Sequence, residues 1–433
     1  MEIKINNHLT YLEYATDILM FEALDNFLNE GYQIKDSIFL AIIITKDGND
    51  FILSYLKVDP TKDIISELKG YYHKMELMIP DYSDTILNDI SGIRCNFGYS
   101  HPYEFDKNVF DKKYKNCIIM LLDGLGKNVL EYHLDENSFL RSHVYGYRHA
   151  IYPSTTAAST TSAMTGLTPL ESGWTGWSNY IREMDKEIIL FTGIDYYTNE
   201  PTGRPGNDFI PVKPFSFDMN IHSSMHMPDF ENPVFKDVLK SSLKGFLKKH
   251  DNIQYVYFTE PDGLMHEFGT YSDKVTGVLK EMDEDLSEYV AKLDSDTLLI
   301  ISADHGHTPV KVINLYACNP ILKHLRTRPS NDARCTVFRV KEGHEEEFEK
   351  TFNALFKDVY KLMKSEDAIN LGYFGSPKLK RNERIKDFLG DYIAFGINEY
   401  YFNFCGDKDF VFKSHHAGIT KDEMEVPIII VRK

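Results

Sequence analysis

Three unbroken apolar runs constrain what this chain can fold into. They are CIIMLL ahead of Asp123-Gly-Leu-Gly, IQYVYF ahead of Thr-Glu-Pro-Asp262, and TLLIIS ahead of Ala-Asp304-His305-Gly-His307. An alternating run would leave one strand face in water. A continuous run needs cover on both faces, which is the condition of a parallel sheet flanked by helices. KVTGVLKEMDEDLSEYVAKL, residues 274–293, supplies a crossover helix between the second and third runs. In such sheets functional groups gather at the C-terminal ends of the strands. Each run here ends in acidic and glycine residues.

The remaining segments differ in character. Residues 1–95 hold an amphipathic helical stretch (YLEYATDILMFEALDNFLNEGY), a hairpin about Lys46-Asp47-Gly48-Asn49, and a second helix (DIISELKGYYHKMELMI) stopped by Pro80. They read as a small α+β appendage without clustered catalytic residue types. Residues 195–235 are rich in Pro, Asn, Phe and Met and have poor periodicity, which predicts an irregular lid. Residues 333–400 open with a strand, RCTVFRV, and continue as a long charged helix, EGHEEEFEKTFNALFKDVYKLMKS. This predicts a small cap inserted before the chain returns to its core.

The 433 residues carry 65 acidic and 48 basic side chains, a formal charge of −17. Such a chain has no general attraction for nucleic-acid backbones or anionic membranes. Handling a phosphate would need a local positive charge, for which a metal ion is the obvious source. Five cysteines without a CxxC pair predict reduced thiols and a cytoplasmic setting. The N-terminus has no signal-peptide pattern, and no run approaches the ~18 apolar residues of a membrane helix.

Asp123, Asp262 with His266, Asp304 with His305, and the pair His415-His416 are far apart in sequence, and most sit at predicted strand ends. Asp123 alone would read as a turn residue, and Asp262 with His266 as a solvated helix face. Two histidines and an aspartate directly after TLLIIS have no packing rationale, because burying them unpaired would cost several kcal/mol, roughly. Carboxylates and imidazoles together suit zinc, and also manganese or iron, and their number suffices for two divalent ions. A further stretch, YPSTTAASTTSAMTG from Tyr152, places many small alcohols after a strand exit. A hydroxyl at a helix N-terminus lies among unpaired N–H groups and the positive end of the dipole. Capping accounts for one such hydroxyl. A nucleophile accounts for another, if a divalent cation lowers its pKa.

DGLG, YPSTTAASTTSAMTGLTPLESG, PDGLMHEFG, SADHGH and HHAGITKDEMEVP, in this order over residues 115–433, resemble the type I phosphodiesterase/nucleotide pyrophosphatase family of the alkaline phosphatase superfamily, in its bacterial form. The resemblance implies an alkaline-phosphatase-like three-layer α/β sandwich with a mostly parallel central sheet. It implies that Thr156 is the nucleophile and that Asp123, Thr156, Asp304 and His305 hold one metal. Asp262, His266 and His416 would hold the second, His416 being preferred to His415 because it directly precedes Ala-Gly. His307 is assigned to substrate or to a place behind the ligands.

The implied reaction is hydrolysis of phosphate diesters or nucleotide pyrophosphate bonds through a phosphothreonine. The partner is a small phosphorylated or nucleotide substrate, and zinc is the foremost metal. The same residues also serve phosphomonoester or phosphonate hydrolysis, or a non-catalytic metal-binding protein. Position 177, where animal members carry a phosphoryl-binding asparagine, is tryptophan, and Asn179 is two residues out of register. Trp177 and Asn179 are therefore the candidate substrate contacts beside His307.

Overall fold

The structure is a computed structural model. It describes residues 4–5, 39–46 and 50–57 of the first 74, and then residues 75–204, 206–246, 252–406 and 411–433. The three apolar runs form strands β1 (Asn116–Leu122), β4 (Asn252–Phe258) and β5 (Thr297–Ser302). With β2 (Val144–His149), β3 (His222–His226) and β6 (Glu425–Arg432) they make one sheet in the order β2-β6-β5-β1-β4-β3. β5, β1, β4 and β3 run parallel, and β6 is antiparallel to both of its neighbours.

Alternate residues of each central strand feed two separate cores. Ile118, Met120, Leu122, Val256, Phe258, Leu299 and Ile301 face one side. Cys117, Ile119, Leu121, Tyr255, Tyr257, Leu298 and Ile300 face the other. Helix α3 (Asp273–Ala291) seals the first core with Val275, Leu279, Met282 and Leu286. Helix α1 (Ile86–Asn96) seals the second with Ile86, Leu87, Ile90 and Ile93. A three-layer sandwich results, as the continuous apolar runs require.

Several boundaries differ from the sequence reading. α1 belongs to the sheet-bearing body, so the division predicted at residue 95 falls earlier in the chain. The hairpin strands pair antiparallel from Phe39↔Lys57 to Lys46↔Asp50, while the turn and the first predicted helix lie outside the described residues. So does most of the second helix. Its last residues are not helical, and Leu77 bridges Thr420.

Residues 195–235 do not form a free lid, because β3 within them pairs along β4 as the sheet's edge. The segment read as a cap contributes to a four-stranded sheet that includes Cys335–Phe338, Tyr360–Lys364 and Tyr392–Gly396. Its long helix stops at Phe356, and YKLMK continues as a strand. Phe348, Phe352 and Phe356, one helical face, pack into the core of this segment.

Candidate active site

The ends of β1 and β4 are tied to each other. Asp123 donates its N–H to the Phe258 carbonyl at 3.0 Å, and Asp262 donates its own to the Asp123 carbonyl at 3.1 Å. Gly124 then turns at φ +74, where a Cβ would lie 2.7 Å from Met265 and 3.2 Å from Asp262. Only glycine permits that approach. Its N–H donates to Asp304 Oδ1 at 3.0 Å, which draws in the end of β5. Gly306 is needed for a second reason: a Cβ there would sit 2.0 Å from the Asp422 carbonyl oxygen.

The result is a buried cluster. His305 Nε2 lies 3.3 Å from Asp123 Oδ1 and 3.6 Å from Asp304 Oδ2. His266 Nε2 and His416 Nε2 lie 3.5 and 3.6 Å from Asp262 Oδ1. The three imidazoles share one arrangement. Nδ1 of His305 meets the Gly306 carbonyl at 3.0 Å, that of His266 the Ser414 carbonyl at 2.9 Å, and that of His416 the Ser154 carbonyl at 3.1 Å. A carbonyl only accepts, so Nδ1 carries the proton. With Nδ1 taken, loss of any proton on Nε2 leaves each ring the lone pair toward the carboxylates that a metal ligand needs.

Burial, reinforced by Asp262, raises Asp123, and burial with repulsion from Asp123 raises Asp304 well above the carboxylate range. Burial alone would lower His305, but Asp304 and Asp123 push it up to about 10. Asp304 Oδ2 is buried without a hydrogen-bond donor. Converging carboxylates, an orphaned oxygen and imidazole lone pairs fit divalent cations. Among the described residues, two groups meet this description: Asp123, Asp304 and His305, and Asp262, His305, His307 and His416.

Helix α2 (Thr156–Thr165) starts beside this cluster. Its hydroxyls divide into distinct tasks. Thr160 and Thr165 donate to carbonyls four residues back, and Ser154 donates to the Gly418 carbonyl. Thr155, at the N-cap position, makes no capping bond, and its hydroxyl goes to Asp332 Oδ1 at 3.4 Å. Thr156 alone faces the acids, with Oγ1 3.4 Å from Asp123 Oδ2 and 3.3 Å from His305 Nε2.

A cavity of about 420 Å³ opens from Thr156, and Asp262, His266 and His416 border it. Trp177, Tyr196, Tyr401, Phe402 and Phe412 line it, with Asp332 among them. No Lys or Arg lines it among the described residues. Trp177 thus lines the cavity.

Asn179 does not. It is buried, and its amide is consumed by the Gly173 carbonyl and the Thr175 hydroxyl. His307 is fully buried, and its Nε2 meets Asp262 Oδ1 at 2.7 Å rather than the cavity. Two functional groups went unread. Tyr257 donates its hydroxyl to Asp123 Oδ2, yet in sequence it is one more residue of an apolar strand. Asp332 ends the short strand Ser330–Asp332, and only the fold shows that it reaches Thr155.

Residues 188–405 match the family model for type I phosphodiesterase/nucleotide pyrophosphatase. The chain belongs to that family. The match contains Asp262, His266, Asp304 and His305, whereas Asp123, Thr156 and His416 lie outside it.

Solved structures with a similar fold include murine ectonucleotide pyrophosphatase/phosphodiesterase 5, in an inactive form with AMP. It is 17% identical, with a TM-score of 0.55, over 72% of this chain and 87% of that one. The human counterpart gives 17% identity and the same TM-score of 0.55, over 72% and 87%. Phosphonoacetate hydrolase from Sinorhizobium meliloti 1021, with phosphonoformate, gives 14% identity and a TM-score of 0.56, over 73% and 89%. The fold is the alkaline-phosphatase-like one. Family membership makes this chain a metal-dependent phosphoryl hydrolase. No helix among the described residues is long and apolar enough to cross a membrane.

Proposed function

We propose that the enzyme hydrolyses phosphate diesters or nucleotide pyrophosphate bonds through a phosphothreonine on Thr156. The observation that carries this reading is the cavity beside Thr156. Its aromatic walls give room for a second ester substituent, and the described lining offers no Lys or Arg for the extra charge of a monoester dianion. Asp123, Thr156, Asp304 and His305 would hold one divalent cation and Asp262, His266 and His416 the other, zinc being the metal best suited to this donor set. When bound, the pair supplies the positive charge that attracts an anionic phosphoryl group and stabilises its oxygens.

The chain's own contributions follow from position. Thr156 Oγ attacks phosphorus and displaces one alcohol. Water then splits the phosphothreonine, giving a phosphate monoester and restoring the hydroxyl. The first-turn N–H groups of α2, beside Thr156, would be available to a non-reacting phosphoryl oxygen.

Phosphonoacetate hydrolase shares the fold, so the test must separate substrate types. The zinc-loaded protein is assayed with bis(p-nitrophenyl) phosphate, p-nitrophenyl phosphate and phosphonoacetate. Diester turnover at least tenfold above the other two is expected, lost on chelation and restored by metal. Faster monoester or phosphonate turnover would replace this reading with the other.

A further inference from the structure

His416 is followed by Ala417 at φ +85, a left-handed backbone that residues with a Cβ rarely adopt. Such a conformation persists only where surrounding bonds impose it. Ala417 is fully buried, and its N–H donates to the Ser154 carbonyl at 2.8 Å, the same oxygen that holds His416 Nδ1. Gly418 accepts the Ser154 hydroxyl and donates its N–H to Glu423. The Ile419 N–H goes to the Gly396 carbonyl at 3.0 Å.

The other side of this turn is held by a distant part of the chain. Residues 76–78, just ahead of α1, lie antiparallel to residues 419–421, with Leu77 opposite Thr420. Met78 donates its N–H to the Ile419 carbonyl at 2.9 Å, and Lys421 donates its own to the Glu76 carbonyl at 2.6 Å. The Glu76 and Lys421 side chains also pair at 3.0 Å, but on the surface, where water screens them. The backbone bonds therefore carry the contact. Met78 packs against the core beneath α3, while Leu77 and Ile79 on either side of it are exposed. Tyr82 fastens the end of the segment, donating its hydroxyl to the Tyr152 carbonyl at 3.0 Å. None of residues 76–82 lines the cavity, so the segment acts on the site only through the turn it holds.

We propose that residues 76–78 are positioning residues for the second metal site. By pairing with residues 419–421 they hold the left-handed turn at Ala417, and with it His416 Nε2, in place beside Asp262. This rests on the reading of His416 as a metal ligand. It gives the N-terminal part of the chain a route to the metal that bypasses the cavity. The pairing and zinc are then linked, and each strengthens the other by the same factor.

The test begins with the unaltered full chain. Hydrogen exchange of the Met78 and Lys421 amides, read from overlapping peptides, is expected to slow about fivefold or more when zinc is added. Exchange indifferent to zinc, in a chain that binds zinc, would overturn the inference. This measurement does not depend on any variant folding.

Two variants then isolate the hydrogen bond. Met78→Pro removes the donated N–H, whereas Met78→Ala keeps it and loses the packing. Competition against a chromophoric chelator is expected to show zinc held about tenfold more weakly by Met78→Pro than by Met78→Ala. Adding Ala417→Gly to the Met78→Pro chain removes the left-handed strain and is expected to restore zinc affinity severalfold. A merely structural role for the segment would not be cured at the turn. Equal affinity of the Pro and Ala variants, or no recovery with Ala417→Gly, would overturn the inference and leave the hydrolase reading standing. Failure of the unaltered chain to bind zinc would overturn the metal assignment with it.

Discussion

Arg334 and Glu423 face each other through two N–H···O contacts of 2.7 Å, with both side chains fully buried. Arg334 precedes the cap strand Cys335–Phe338, and Glu423 precedes β6. The remaining Glu423 valences take the Gly418 N–H at 2.7 Å and the Thr420 hydroxyl at 2.6 Å. The pair therefore joins the cap to the loop that carries His416. Replacing Arg334 by Met leaves an unpaired buried carboxylate, so a loss of about 3–5 kcal/mol is expected in urea denaturation. Weaker zinc binding should accompany it, because the loop behind His416 loses its anchor. An unchanged denaturation midpoint would contradict the coupling.

His307 is held from both sides. Ser414 donates its hydroxyl to the Met265 carbonyl at 2.6 Å, so it accepts from His307 Nδ1 at 2.9 Å. The opposite nitrogen then presents a lone pair to Asp262 Oδ1, and a cation between them relieves that contact. His307→Ala should weaken zinc binding about 10–100-fold. Competition against a chromophoric chelator measures this without any substrate. Unaltered affinity would mean that His307 only packs.

The acid–histidine cluster of this site was legible in sequence because acidic and imidazole groups directly after TLLIIS or at IQYVYF's end cannot be packed dry. The substrate half was not. Asn179 looked available from its neighbourhood in sequence, but the loop closes so that backbone and Thr175 consume its amide. Asp332 and Tyr196 reach the cavity from stretches with no periodicity, and their proximity to Thr156 is purely tertiary. β3 was hidden for a related reason. HSSMH has neither an apolar run nor a clean alternation, and its place at the sheet's edge is decided by its pairing with β4.

Thr156 Oγ1 is the one hydroxyl of its stretch that reaches both Asp123 and His305. Thr156→Ala should lower diester kcat by about four orders of magnitude or more, as removal of a nucleophile does in other hydrolases. Thr156→Ser retains the oxygen and should lose far less. Acid quench of the unaltered enzyme with a ³²P-labelled diester should leave label on protein, and none on Thr156→Ala. Equal activity of the Ala and Ser variants would exclude the threonine from chemistry.

Glu187 provides a pH signature outside the metal cluster. Burial pushes its carboxyl up to about 7, against the pull of Arg339. The folded chain therefore keeps a proton that the unfolded chain releases near pH 4.5. The folded state binds more protons between those values, so the Glu187 contribution to stability falls as pH rises from about 4.5 to 7 and is level above. Glu187→Gln removes that slope while preserving an acceptor for the Asn331 N–H. Relative to the unaltered chain, the variant should gain on the order of 2–3 kcal/mol between pH 4.5 and 8. Urea denaturation of both proteins across this range measures the difference. A difference independent of pH would show that Glu187 is already ionised at the acid end, and that the charge beside Asp332 is compensated in some other way.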